Sequence, residues 1–470
     1  MLFNSLHFLF FFIIVTILYF TLPHKNRWFM LLMASCYFYM SFIPVYILIL
    51  LFTIIIDYYA GIYLEKFEGK KRRLFLIVSL VANIGVLAIF KYYNFINDNI
   101  TSLLGLVQTE NPIPYLRIIL PIGLSFHTFQ AMSYTIEVYR GNQKAERNFG
   151  IYSLYVMFYP QLVAGPIERP QNLLHQFYEK HEFDLANVAT GLKLMLWGLF
   201  KKVVIADRLS VYVDAVYNNH EHHSGTTLML ATVFFAFQIY CDFSGYSEMA
   251  IGSAQVMGFK LMTNFNRPYF AKNVSEFWKR WHISLSTWFT DYLYISLGGN
   301  RVSVPRWYFN LFFVFLVSGL WHGANWTFII WGGLNGLYLV SGIILKKFNH
   351  YHFENQILRS TYNLFNILIT FGLICISWVF FRANTAADAF AIISNFGKSG
   401  NVFFDTNVVY GFIGLLILFS AEYLREKRHI NLLPFYSSNQ IVRNLSYIIT
   451  IVLIIALGVF DGGQFIYFQF

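Results

Sequence analysis

The feature that most constrains this chain is a run without Asp, Glu, Lys or Arg between Arg306 and Lys346. The run is about twice the ~20 residues that a helix needs to cross a bilayer, so it predicts two membrane spans or one span with a break. His322 lies inside it, with Gly319 and Gly323 one helical turn apart on either side. Small residues at that spacing let a neighbouring helix approach closely. An ionisable side chain in such surroundings is a functional candidate, and the alternative is a histidine that packs at a helix contact.

The composition extends this prediction to the whole chain. Only 12% of its 470 residues are charged, whereas soluble globular chains carry roughly 25%. Because the low charge is spread along the length and the apolar runs are long and not alternating, we predict an all-α polytopic membrane protein. A count of the apolar runs gives about 11–13 transmembrane helices. The first of them is a retained span near residues 6–22. The net charge of +10 collects in short loops, as the positive-inside rule requires, and does not indicate nucleic acid.

We predict one membrane domain over residues 1–470. Its parts are N-terminal spans in 1–150, a catalytic core in 151–345 and C-terminal spans in 346–470.

The predicted core includes a re-entrant element. Residues 151–164 are apolar but too short to cross comfortably, and they end in Gly165-Pro166-Ile167-Glu168-Arg169-Pro170. Irregular backbone at membrane depth is tolerated only where it is buried in protein or lines a wet cavity. Glu168 and Arg169 are therefore candidates to line a cavity, and the alternative is that they fix the re-entrant turn.

Residues 274–289 predict an amphipathic helix at the membrane interface. One face carries the residues Trp278, Trp281, His282, Leu285 and Phe289 at helical spacing. The pair Trp281-His282 repeats the pair Trp321-His322, so two histidines facing one cavity could divide the work between a base and a group that orients the donor. The alternative for His282 is an interfacial histidine without a role.

Three further polar residues are candidates for substrate binding. Asp242 and Ser244 lie near the end of a predicted span, and the alternative is that they N-cap the next helix. Asn325 follows Trp321 by one helical turn. It is a candidate to hold a substrate hydroxyl or to bond the backbone of a broken helix.

No metal site is expected. His220, His222 and His223 lie together in a polar loop, and we predict that they are solvated. The three cysteines lack metal-ligand spacing and are predicted to be free, buried thiols.

A lone histidine deep in a membrane protein indicates group transfer or proton transport. In acyl transfer, a neutral imidazole takes the proton of a hydroxyl as that hydroxyl attacks a thioester. A dry cavity excludes the water that would hydrolyse the donor. A transporter without acyl chemistry is the alternative, but it predicts several ionisable residues along the spans and two similar halves, and neither is visible.

Four motifs occur in order along the chain. They are Gln161-Leu162-Val163-Ala164-Gly165-Pro166-Ile167-Glu168-Arg169, Asp242-Phe243-Ser244-Gly245-Tyr246, Phe277-Trp278-Lys279-Arg280-Trp281-His282-Ile283-Ser284-Leu285-Ser286 and Leu320-Trp321-His322-Gly323. Together they resemble the membrane-bound O-acyltransferase (MBOAT) family in its bacterial branch, over nearly the whole chain. The resemblance implies that His322 is the catalytic base and His282 the second active-site histidine. It also implies a helical ring around a central funnel, with re-entrant helices beneath it, in the cytoplasmic (inner) membrane.

The resemblance implies one of two acyl-transfer reactions. One is O-acetylation of an exported cell-surface polysaccharide such as alginate, which the chain length and the aromatic tail 464–470 favour. The other is D-alanyl transfer to a teichoic acid-type polymer from a carrier protein. Either implies a thioester cosubstrate, acetyl-CoA or an acyl carrier protein, with no bound cofactor. The implied partners are an extracytoplasmic SGNH hydrolase-like protein, the polysaccharide acceptor and membrane lipid.

Overall fold

The computed structural model describes residues 1–117, 120–163, 165–348, 355–428, 434–460 and 465–466. All regular secondary structure in these ranges is helical, which confirms the predicted all-α class. Of the predicted features, Ala164 in the first motif and residues 464 and 467–470 of the aromatic tail lie outside the described residues.

The described residues form two compact units. The first unit consists of residues 1–192 and 250–262. Its helices are α1 (Leu6–Thr21), α2 (His24–Met40), α3 (Ile47–Lys66), α4 (Gly69–Leu87), α5 (Tyr93–Leu106), α6 (Leu124–Arg140), α7 (Phe149–Met157), α8 (Tyr159–Leu162), α9 (Pro170–Leu173) and the start of α10 (Leu185–Phe200). The apolar helix α1 lies where the first span is predicted, and its crossing of the membrane stays a prediction.

Hydrogen bonds between side chains link three helices of this unit. Asp57 of α3 is fully buried and accepts hydrogen bonds from the Ser79 hydroxyl at 2.6 Å and from the Asn83 amide at 2.9 Å, both on α4. The Ser79 hydroxyl also lies 2.9 Å from the Thr135 hydroxyl of α6. Apolar faces discriminate weakly between helix partners in lipid, so such polar links help to select the packing.

The second unit consists of residues 193–249 and 263–470. Its helices are the end of α10, α11 (Asp207–Tyr217), most of α12 (Gly225–Val256), α13 (Val274–Arg280), α14 (Ile283–Trp288), α15 (Val304–His322), α16 (Trp326–Lys346), α17 (Gln356–Arg382), α18 (Ala386–Asn395), α19 (Thr406–Arg428) and α20 (Gln440–Leu457). Aromatic and aliphatic side chains of α11, α12 and α17 supply much of its core.

Seven helical segments among the described residues are long and apolar enough to cross a membrane. They are Pro44–Lys66, Gly69–Leu106, Gly225–Val256, Trp326–Lys346, Gln356–Arg382, Thr406–Lys427 and Gln440–Leu457. The number of 11–13 spans, the single domain and the ring around a funnel stay predictions.

The uncharged run forms two helices, as predicted. The helices α15 and α16 pack closely against each other because both present glycine at the contact. A Cβ atom on Gly319 would overlap the backbone carbonyl oxygen of Phe328, and one on Gly332 would overlap that of Phe315. Close backbone approach through small residues is the usual way in which helices associate in lipid.

Adding one methyl group at this contact is expected to destabilise the unit. We predict that Gly319→Ala lowers the free energy of unfolding by about 1–3 kcal/mol, because a backbone atom opposes the new Cβ and cannot rotate away. The measurement is thermal unfolding of the purified protein in detergent. Gly342→Ala on α16 is the matched control, since nothing lies within 4 Å of its Cβ. Equal melting temperatures for the two variants would contradict the prediction.

Candidate active site

His322 is the last residue of α15 and is buried. The helix stops there because Gly323 is extended, with φ −160° and ψ 149°. Asn325 then caps α16: its side-chain oxygen accepts the N–H of Thr327 at 3.0 Å, and its amide donates to the carbonyl oxygen of Asn384 at 3.3 Å. Of the two predicted roles of Asn325, the structure contains the bond to a broken helix, and substrate binding by this residue stays a prediction.

His282 lies in a break between α13 and α14, so the predicted continuous helix over 274–289 is wrong. The backbone of His282 is left-handed, with φ 42° and ψ 56°. Asn264 supports the break, because its backbone oxygen accepts the N–H of Ile283 at 2.9 Å and its side chain accepts the N–H of Ser284 at 3.3 Å. A left-handed conformation is unfavourable for most residues with a Cβ atom and persists where the surroundings enforce it.

The two histidines line one cavity of about 430 Å³ within the second unit. Its walls come from α13, α14, the following π-helix Phe289–Tyr294, α15 and α16. Hydroxyl groups are interspersed with apolar side chains along the walls. The polar lining residues are Ser275, Lys279, Ser286, Thr287, Thr290, Tyr294 and Ser318. The shared cavity is the arrangement that the repeated Trp-His pair predicts.

Aromatic rings enclose both imidazoles. The His322 ring centroid lies 5.0 Å from that of Trp321 and 4.9 Å from that of Trp331, edge to face in both cases. The ring of His282 lies 4.6 Å from Phe243 and 6.3 Å from Trp321. Packing of this kind fixes the orientation of each imidazole without adding charge.

The predicted tryptophans occupy different places. Trp278 lines the cavity. Trp281 is buried behind it and packs on Trp378, with ring centroids 5.1 Å apart. Trp321 lies near both histidines but does not line the cavity.

The cavity is poor in charge. Among the described residues that line it, Lys279 is the one with a permanent charge, and no carboxylate belongs to the lining. His282 lies outside the seven candidate spans, and burial lowers the pKa of its imidazole to about 3. His282 is therefore neutral at physiological pH and keeps one N–H to donate.

Asp242 and Ser244 lie within α12, which continues to Val256. The interpretation as N-caps is therefore wrong, and neither residue lines the cavity. The Lys202 ammonium lies 2.7 Å from carboxylates of both Asp207 and Asp242, and all three side chains are buried. Asp242 also accepts the backbone N–H of Ile466 at 2.7 Å.

The charge network continues along α12. Lys201 lies 2.7 Å from a carboxylate oxygen of Glu248 and donates to the Ser244 hydroxyl at 3.1 Å. Neither Lys201 nor Lys202 is among the candidate residues predicted from the sequence. The signal available was two adjacent lysines next to an apolar stretch.

Glu168 and Arg169 belong to the first unit. The carboxylate of Glu168 is buried and accepts the backbone N–H of Met262 at 2.5 Å, and Arg169 donates to the carbonyl oxygen of Ile167 at 3.2 Å. Burial raises the pKa of Glu168 to about 7. These bonds fit the turn-fixing alternative. Glu168 also lines a polar cavity of about 630 Å³, so its predicted cavity position has a counterpart in this unit.

This chain is similar to a known protein family and to several named proteins. The model of the MBOAT, membrane-bound O-acyltransferase family matches residues 143–383, which include both histidines. A protein named "Probable alginate O-acetylase AlgI" from Pseudomonas aeruginosa is 40% identical over 387 residues, 82% of this chain and 72% of its own. The "Peptidoglycan O-acetyltransferase" of Helicobacter pylori is 36% identical, over 84% of this chain and 79% of its own. The "Teichoic acid D-alanyltransferase" of Bacillus subtilis is 27% identical, over 55% and 68%.

Proposed function

Since the chain belongs to the membrane-bound O-acyltransferase family, and is therefore a multi-pass membrane O-acyltransferase, we propose that it moves an acetyl group from a cytoplasmic thioester toward hydroxyls of an exported cell-surface polysaccharide. The relatives support acetyl as the acyl group, because two proteins named as O-acetyl-transferring enzymes are 36–40% identical to it. The D-alanyl-transferring relative is more distant, at 27%.

The observation that carries this proposal is the shared cavity of His282 and His322. Two imidazoles in one weakly charged space suit a reaction in which a proton moves while charge develops on an acyl oxygen. General bases contribute about 10²–10⁴-fold in rate. No carboxylate lines the cavity among the described residues, and the two imidazoles are the groups there whose ordinary pKa is closest to neutral pH.

In the proposed step, His322 accepts the proton of the attacking hydroxyl. The hydroxyl oxygen forms a bond to the acyl carbon, and the bond from that carbon to sulfur breaks. The thiolate leaves and takes the proton back from His322, so that the products are an ester and a free thiol. The ring lies at the end of α15, held between Trp321 and Trp331, which fixes its direction.

His282 has the other role in the proposal. A neutral imidazole with a low pKa is a weak base, but its N–H donates a hydrogen bond. We assign that N–H to the acyl carbonyl oxygen, which becomes more negative as the bond to the hydroxyl forms. The backbone of His282 is left-handed, and its side chain lines the cavity from the break between α13 and α14.

The apolar walls support the reaction in a second way. Phe289, Leu311 and Phe315 line the same space as the histidines. Such walls exclude water, which competes with the hydroxyl for the thioester. The proposed donor is acetyl-CoA or an acylated carrier protein, and the proposed partner is an extracytoplasmic SGNH hydrolase-like protein that acts with the chain on the polysaccharide.

The test is the chemical composition of the cell surface. We expect a deletion strain to lose O-acetyl groups from its exported polysaccharide and to recover them when the wild-type chain is restored, as measured by mass spectrometry of the purified polymer. Loss of D-alanyl esters with acetyl groups retained would reject acetyl in favour of D-alanyl transfer. Retention of both kinds of ester would reject the proposed function.

A further inference from the structure

An apolar groove lies on the second unit, apart from the cavity of the two histidines. Its volume is about 1030 Å³. The floor is α12, with Phe234 and Phe237, and the walls are α17 and α19. Phe371 of α17 and Phe419 of α19 both contact Phe237, with ring centroids 5.7 and 5.0 Å away. The groove therefore has a packed aromatic floor and two helical sides.

One end of the groove is polar, and the rest is apolar. The polar lining residues are Lys272, Ser360, Thr361, Asn363, Glu426 and Lys427. They come from the start of α17, the end of α19 and the loop before α13. Beyond them the lining is leucine, isoleucine, valine and phenylalanine, with the rings of Tyr269 and Tyr423. An amphiphile with one polar end matches this distribution.

The polar end is basic. The carboxylate of Glu426 is already bound by Arg267 at 2.7 Å and by Arg280 at 3.0 Å. Arg280 also lies 2.7 Å from Glu276, so two guanidinium groups balance two carboxylates. Lys272 and Lys427 face the groove beside this balanced network. This end favours an anion.

The length of the groove fits one leaflet of a bilayer. Its lining runs from Ser360 to Phe371 on α17 and from Phe412 to Lys427 on α19. At about 1.5 Å per residue these segments are ~16 and ~22 Å long. One leaflet is ~15 Å thick in its hydrocarbon part and ~20–22 Å thick with its headgroup region, where the polar end of the groove would lie.

We propose that this groove binds an anionic phospholipid, with its acyl chains along α17 and α19 and its phosphate between Lys272 and Lys427. The hydroxyls of Ser360 and Thr361 lie at the same end and can donate to phosphate oxygens. A lipid fits better than a transmembrane helix of a partner, because the groove ends in charge after one leaflet whereas a helix has to continue through both. The lysines lie on the side of the loop before α13, which the positive-inside rule assigns to the cytoplasm.

Native mass spectrometry of the full-length chain in detergent tests the proposal. Phosphatidylglycerol and phosphatidylcholine with identical acyl chains are titrated separately, and glycerol phosphate serves as the headgroup alone. We expect phosphatidylglycerol to bind about 10- to 30-fold more tightly than phosphatidylcholine, from two lysines near one phosphate. Glycerol phosphate is expected to show no binding at the same concentrations.

Two variants separate the contributions. The double variant Lys272→Gln/Lys427→Gln is expected to lose the preference for phosphatidylglycerol, while Leu368→Trp, which fills the groove, weakens both lipids. The matched control is Lys346→Gln/Lys347→Gln, which removes two exposed lysines at the end of α16 and keeps the preference. An unchanged preference in the first variant would overturn the proposal. Binding of glycerol phosphate as tight as that of the lipid, or displacement of the lipid by a co-purifying partner helix, would do so as well.

Discussion

Replacing His322 with alanine is expected to lower acyl transfer by about 10²–10⁴-fold, the usual contribution of a general base. The hydroxyl of a sugar stays protonated near neutral pH, so its attack on a thioester needs an acceptor for the proton. The variant lacks that acceptor and keeps the rest of the cavity. The measurement is acyl transfer from a radiolabelled thioester by membranes that contain the variant, normalised to the amount of inserted protein.

The control for this variant is another histidine in the same unit. His222 lies exposed in the loop before α12, and His222→Ala is expected to retain wild-type activity. Wild-type rates in His322→Ala would remove His322 from the mechanism. A drop in activity with an unchanged melting temperature would assign the loss to chemistry and not to unfolding.

Replacing Lys202 with methionine is expected to have the largest effect on stability. The ammonium lies 2.7 Å from both Asp207 and Asp242, and all three side chains are 1–5% exposed. Removing one partner of a buried ionic network costs about 3–5 kcal/mol, because it leaves buried charge without compensation. Here two carboxylates would face each other without a cation. The measurement is the free energy of unfolding in mixed detergent micelles.

A compensating variant makes this prediction sharper. Adding Asp207→Asn and Asp242→Asn to Lys202→Met removes both carboxylate charges and is expected to restore most of the stability. The control Lys398→Met changes an exposed lysine of the same unit and is expected to change stability by less than about 0.5 kcal/mol. A triple variant as unstable as Lys202→Met would show that the buried charges do not cause the loss.

The two-helix arrangement around His322 could be predicted because it depends on quantities that a sequence displays. The run between Arg306 and Lys346 is too long for one span, and Gly319 marks where another backbone comes close. The shared cavity could also be predicted, from the repeated Trp-His pair. Both inferences rely on local spacing, and both histidines do line one cavity.

The predictions that were wrong concern residues whose hydrogen-bond or ion-pair partners are distant in sequence. Residues 274–289 have the period of one helix, but Asn264 bonds the backbone of Ile283 and Ser284, and this interrupts the helix at His282. Asp242 has the residue type of an N-cap, but Lys202 satisfies its charge inside a continuous helix. Periodicity does not reveal which segment lies opposite a side chain.

At His282, where the backbone is left-handed, the residue that best suits fold stability differs from the residue that the proposed chemistry needs. Glycine adopts that conformation with the least strain, and a change to glycine would relax the local fold while it removed the imidazole. Asparagine also tolerates the conformation, and its side chain retains an N–H donor without a titratable nitrogen. We therefore expect substitution of His282 by glycine or asparagine to preserve the fold and to impair the proposed acyl transfer.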